Sequence, residues 1–148
     1  MIEAPLPAAS LSRSALAVFR LNGRFLGVAE ELAAPAGLTA AWWQVLGAVL
    51  AEPLPVAGIA RAMGITRQSV QRIADLLVDR GLAEYRTNPA HRRAKLLAPT
   101  EEGYQAVRRI TPGHVEVAGR LSELLGGDAE FAAVAEVLER LARALDEL

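Results

Sequence analysis

The sequence predicts a mainly α-helical protein with one small β-hairpin. Three observations carry this reading. Apolar residues recur at intervals of three, four and seven along most of the 148 residues, the period of a helix with one buried face. Alternation with period two is confined to residues 82–87, with a return segment at 93–98. Thr, Gly and Pro stand at the joints between these segments, where they start and stop helices.

In residues 10–33, Leu11, Ala15, Val18, Phe25, Ala29 and Leu32 form one apolar stripe with Arg13, Arg20, Arg24 and Glu31 off it, which predicts an amphipathic helix. The segment Ala34-Pro-Ala-Gly37 stops it, and Thr39 is placed to cap a second helix reaching Ala51. Trp43, Leu46 and Leu50 make one stripe of that helix and Trp42, Val45 and Val49 another, so it is expected between other elements. Glu52-Pro-Leu-Pro55 reads as a break. Residues 56–63 form a short helix with Val56, Ile59, Ala60 and Met63 on one side, and Gly64 ends it. Thr66 caps a further helix from Arg67 to Arg80, closed by Gly81, with Val70, Ile73, Ala74 and Leu77 inward. At 100° per residue Gln68, Arg72 and Asp75 face the other way, with Gln71 on the flank.

Residues 82–87 and 93–98 then pair as a hairpin around Asn88-Pro-Ala-His91, and Pro99, lacking an N–H, ends the second strand. Thr100 caps the next helix, with Glu101 and Glu102 in its first turn, where the helix dipole favours acids. Thr111-Pro112-Gly113 must kink that helix or divide it. Val117, Leu121, Leu124 and Leu125 continue the pattern to Gly126-Gly127. Asp128 is the expected cap of the last helix, whose Phe131, Val134, Leu138, Leu141, Leu145 and Leu148 form a narrow seam suited to another helix.

Charge is unevenly spread over these elements. Residues 61–95 carry a net charge of +5, residues 96–148 one of −5, and the whole chain −1. A basic middle predicts a polyanionic partner, although a solvated charged face would have the same composition. The order short helix, glycine turn, capped helix, hairpin is that of a helix-turn-helix with a wing, a shape whose capped helix enters the major groove of double-stranded DNA. Arg67, Gln68, Gln71 and Arg72 suit base edges, since Arg can bond guanine and Gln adenine bidentately. Thr66 and Ser69 suit phosphates or base edges. Arg92, Arg93 and Lys95 at the hairpin tip suit the adjacent minor groove, whose negative potential attracts arginine.

The stretch "GITRQSVQRI…L…GL…R…P..RRAKL…T..G", together with "LTAAWWQVLGAVL" before it, resembles the MarR family of winged-helix transcription regulators, and the flanking helices match that family's layout over nearly the whole chain. The resemblance implies a homodimer built on the first and last helices, reading a palindromic operator as a repressor. It divides the chain into an N-terminal dimerisation helix (1–37), a winged helix-turn-helix domain (38–99) and C-terminal dimerisation helices (100–148). It assigns the wing-tip DNA role to Arg93. His91 stands where the family usually has an Asp that orients this arginine, and Pro55 where Ser or Thr often caps the motif's first helix. Related regulators hold small aromatic or lipophilic effectors beside the helix that carries Trp42 and Trp43, so these two side chains are read either as core or as the wall of an effector site.

Other classes fare worse. No Ser-His-Asp arrangement, phosphate-cradling glycine loop or HExxH motif is present, so no enzyme and no catalytic residue is expected. Zero cysteines exclude a disulfide framework, a thiolate zinc site and a thiol switch, and two histidines leave little for a metal; no cofactor or metal site is expected. Residues 1–7, with Glu3 and two prolines, lack the order of a secretory leader. Residues 32–51 are uncharged, but Pro35, Gly37 and Thr39 interrupt them below the ~20 residues a membrane span needs. A cytoplasmic location without membrane contact is the expectation. The alternative function is a winged-helix dimer that binds a protein or a ligand and not DNA.

Overall fold

A computed structural model describes residues 3 and 5–148; part of the segment read as lacking a secretory leader, residues 1, 2 and 4, lies outside them. The chain divides into two compact units, Met1–Ile110 and Thr111–Leu148. In the first, α1 spans Leu6–Ala33, beginning earlier than the apolar stripe predicts. Pro5 is its N-cap and Pro7 falls in its first turn, where the N–H that proline lacks would have had no helical partner. A 3-10 turn, Ala34–Ala36, ends in Gly37 at φ 74°, and α2 follows over Ala40–Val49. The Trp42 N–H donates to Thr39 Oγ1 at 3.1 Å, the expected cap. The Ala40 N–H donates to Glu30 Oε1 at 3.1 Å, tying the start of α2 to the last turn of α1.

The motif itself comprises α3 (Val56–Met63) and α4 (Arg67–Asp79), joined through Gly64 at φ 68°. Thr66 caps α4 by accepting from the Ser69 N–H at 3.1 Å. Strands β2 (Ala83–Arg86) and β3 (Leu96–Pro99) are antiparallel, with Ala83 opposite Pro99 and Arg86 opposite Leu96. The returning strand therefore starts at Leu96, and Arg93 and Lys95 belong to the loop. The sequence reading of a lone hairpin is also incomplete. Leu54–Pro55, read as a break, forms β1 and pairs with β3, giving a sheet of order β1-β3-β2. Pro55 is tolerated there because β1 is an edge strand.

The core of this unit gathers Val45, Leu46 and Val49 of α2, Ile59 of α3, Val70, Ile73, Ala74 and Leu77 of α4, and Leu97 of β3. Ala106 and Ile110 join it from α5 (Glu101–Leu125). Thr100 caps α5 and ties it to the wing's base: its hydroxyl accepts from the Gly103 N–H at 3.2 Å and donates to the Gly81 carbonyl at 2.6 Å. Its own N–H donates to the Leu82 carbonyl at 3.1 Å.

Pro112 does not divide α5, which is one helix to Leu125. Proline deletes a single backbone bond, and the turns on either side remain helical. In the second unit α5 passes through Gly126 and Gly127, at φ 102° and 125°, into α6 (Asp128–Asp146). Asp128 is not the cap that the sequence predicts. Gly127 occupies that position without a side-chain bond. Asp128 is the first helical residue, and its carboxylate accepts from the buried Ser122 hydroxyl. No described residue of α6 is buried, and Leu124, Val134, Val137 and Leu145 are exposed. Among the described residues no single helix is long and apolar enough to cross a membrane; α1 with its 3-10 turn and α2 would pass only as a pair bent by 82°.

Candidate nucleic-acid interface

Helix α4 owes its orientation to its buried face. Val70, Ala74 and Leu77 are completely inaccessible to solvent, which leaves Arg67, Gln68, Gln71, Arg72 and Asp75 exposed on the opposite side. At the N-terminus the Thr66 hydroxyl donates to Ser69 Oγ at 2.9 Å while receiving the Ser69 N–H. These two side chains thus stabilise the start of the helix, where backbone N–H groups also favour an anion.

The wing loop, residues 87–95, is shaped by Asn88. Its side-chain oxygen accepts from the Ala90 N–H at 3.0 Å and its carbonyl from the His91 N–H at 3.2 Å, and the Ala94 N–H closes on the His91 carbonyl at 3.2 Å. His91, Arg92 and Arg93 are exposed. Among the described residues Arg92 and Arg93 form no ion pair; the one ion pair on the wing joins Arg86 to Glu84 at 2.9 Å.

A groove of about 530 Å³ lies between the two elements, lined by Arg67, Gln68 and Gln71 of α4, Arg93 and Lys95 of the wing, and Tyr85 of β2, with Pro55, Val56 and Ala57 at its side. Five of the residues singled out in the sequence therefore share one concavity. Arg72 lies beyond it, in a shallower depression of about 440 Å³ with Gln68, Gln71, Asp75, Leu76 and Asp79. Arg92 lines neither of these two depressions.

Sequence reasoning missed Tyr85 and the role of Asp75. The Gln71 Nε2 donates to Tyr85 Oη at 2.8 Å and to Asp75 Oδ1 at 3.0 Å, and Tyr85 Oη donates to Asp75 Oδ1 at 2.5 Å. Burial first, and the hydrogen bond to the Asp75 carboxylate second, push the Tyr85 phenol far above its ordinary pKa. Lys95 Nζ stands 6.0 Å from the centre of the Tyr85 ring. An i, i+4 Gln–Asp pair on an exposed helix face was the available signal; its tie to a strand was not.

Trp42 and Trp43 are half-buried and pack against the core, and the Arg80 guanidinium lies 5.4 Å over the Trp42 ring. Among the described residues no group of three His, Cys, Asp or Glu could hold a metal ion.

A helix-turn-helix whose second helix shares a basic groove with a three-stranded wing defines a winged-helix nucleic-acid-binding domain. A family model described as the MarR family matches residues 36–94. An uncharacterised protein of Mycobacterium tuberculosis is 40% identical over 91% of this chain and 94% of its own length. Among solved structures, a MarR-family transcriptional regulator from Rhodococcus sp. RHA1 is 25% identical with a TM-score of 0.78, over 95% of this chain and 96% of that one. CouR from Rhodococcus jostii RHA1, solved bound to p-coumaroyl-CoA, is 28% identical with a TM-score of 0.70, over 84% of this chain and 85% of that one. The chain belongs to the MarR family of winged helix-turn-helix transcription regulators, and it is a DNA-binding regulator.

Proposed function

We propose that the protein is a homodimeric repressor that reads a palindromic operator in double-stranded DNA and releases it when a small lipophilic or aromatic effector binds. The carrying observation is the shared groove: Arg67, Gln68 and Gln71 face the same space as Arg93 and Lys95. In this reading α4 enters the major groove, Thr66 and Ser69 fix its N-terminus against phosphate, Arg72 extends the contact, and Arg92 and Arg93 reach the minor groove.

The dimer reading rests on exposed apolar side chains. On α1, Leu16 and Phe19 are 68% and 72% exposed, and Leu11, Phe25 and Leu26 are also open to solvent. In the second unit Val115, Leu124, Val134 and Leu145 are likewise exposed. Exposed apolar side chains of this kind mark interaction surfaces when they gather into a patch, and they support the dimerisation role proposed for residues 1–37 and 100–148 around the DNA-binding segment 38–99. The effector reading is supported by CouR, which was solved with p-coumaroyl-CoA, and by the half-buried Trp42 and Trp43. The test is a gel shift with duplex fragments flanking the protein's own gene. One fragment should be retarded in competition with unrelated DNA, with affinity falling steeply as salt rises. Equal affinity for every fragment would refute operator recognition.

A further inference from the structure

We infer that Tyr85 is a specificity-determining positioning residue for DNA: from strand β2 its hydroxyl holds Asp75 and Gln71 of α4, so that the recognition helix presents the Gln71 amide to base edges in one orientation. This rests on the DNA-binding reading above and adds to it a residue that acts through another.

Gln71 and Asp75 lie one turn apart on an exposed helix face, and such an i, i+4 pair is weak by itself. Helix α5 holds a pair of the same kind within a single element: Gln105 Nε2 donates to Glu101 Oε1 at 2.9 Å, again four residues apart and exposed. At Gln71 a second element intervenes. Tyr85 Oη donates to Asp75 Oδ1 at 2.5 Å, the length of a charge-assisted bond. Tyr85 is itself fixed by the ladder, opposite Leu97, with its side chain packed against the core. The phenol has one hydrogen, and the carboxylate takes it. Both oxygens that face the Gln71 amide nitrogen are therefore acceptors, Tyr85 Oη at 2.8 Å and Asp75 Oδ1 at 3.0 Å. The flipped amide would set its carbonyl oxygen against both of them, so the amide keeps its nitrogen toward the strand. Gln71 lines the groove with Arg67 and Arg93 in that orientation. An amide free to flip offers a base edge a donor or an acceptor at the same place; a fixed amide offers only one, and base pairs differ in the major groove by that pattern. The Tyr85 ring has a separate contact, with Lys95 Nζ 6.0 Å from its centre. Hydroxyl and ring can thus be tested apart.

The test compares wild type, Tyr85→Phe, Gln71→Ala and the double variant on two duplexes, the one most enriched by wild type from a random-sequence library and one of unrelated sequence. Phenylalanine keeps the ring, its packing and its place near Lys95. Affinity for the unrelated duplex, which phosphate contacts supply, should therefore stay within about twofold of wild type. Preference for the selected duplex should fall by about tenfold in Tyr85→Phe, within what one base contact commands. Because Tyr85 acts through Gln71, Tyr85→Phe should lower that preference no further in the Gln71→Ala background. Undiminished preference in Tyr85→Phe, an equal loss on both duplexes, or losses that multiply in the double variant would overturn the inference. Side-chain amide NMR relaxation of the free wild type reads the network without any substitution: the Gln71 NH2 should be more rigid than that of Gln105, and equal mobility would overturn the inference as well. No enrichment from the library with wild type would instead defeat the DNA-binding reading on which it stands.

Discussion

Replacing Gly103 by alanine should destabilise the protein, although alanine is the better helix former. Gly103 lies in the first turn of α5, and a Cβ built there would sit 2.1 Å from the Leu82 carbonyl oxygen and 3.1 Å from its carbon. Neither is the end of a flexible side chain, so relief requires α5 and the chain entering β2 to move apart. That movement strains the Thr100 N–H bond to Leu82 and the Thr100 hydroxyl bond to Gly81, 3.1 and 2.6 Å in the native fold. Overpacking costs roughly 1–3 kcal/mol, and weakening two hydrogen bonds adds about 1–2 kcal/mol. The propensity gain of alanine over glycine returns about 1 kcal/mol. The net expectation is a loss of about 1–4 kcal/mol, the sum of the foregoing terms. Gly47, inside α2, is the control, because its added Cβ meets nothing within 4 Å; Gly47→Ala should gain roughly 0.5–1 kcal/mol. Urea unfolding followed by circular dichroism at fixed protein concentration reads both midpoints. The same sign of shift in the two variants, or an unchanged midpoint for Gly103→Ala, would refute the steric argument.

Arg93→Ala should weaken binding to operator and unrelated duplexes alike and reduce the log-log salt slope by about one unit, measured by anisotropy at several salt concentrations. Phe19→Glu combined with Phe25→Glu, on the exposed side of α1, should convert a dimer to a monomer in light scattering at micromolar concentration; a folded monomer in the unsubstituted protein would refute the dimer. Thr66→Ala removes the acceptor for the Ser69 N–H and should cost about 1 kcal/mol by chemical denaturation. With no cysteine in the chain, mild peroxide should leave DNA binding intact, while phenols or lipophilic acids should change tryptophan fluorescence and then release the operator in a gel shift.

The caps at Thr39, Thr66 and Thr100 were legible because their chemistry is local: each oxygen accepts from an N–H three residues on. The inward face Val70, Ile73, Ala74 and Leu77 was equally legible, since helical period and burial coincide there. Strand β1 was not. Two residues carry no period, and Leu54 finds its partner at Leu97, far along the chain. The Gln71–Tyr85 bond joins residues fourteen apart through different elements, and composition holds no record of it. At Asp128 local preference pointed to a cap, and the structure has Gly127 there instead; of the two outcomes expected at Pro112, a kink or a division, the undivided α5 excludes the division.

The pairing of β1 with β3 also bears on how the protein could be varied. Residues 87–95 leave and re-enter the fold beside a ladder that fixes Arg86 opposite Leu96, and Pro55 holds Leu96 from the other side. Register is thus set at the root of the wing, and the tip is free of that duty. Insertions, deletions or a grafted loop between 87 and 95 can be absorbed without sliding the strands, as surface loops generally tolerate changes of length. Wing length is a separable module, open to exchange between paralogues or to a designer retuning reach along DNA while the helix that reads bases stays as it is.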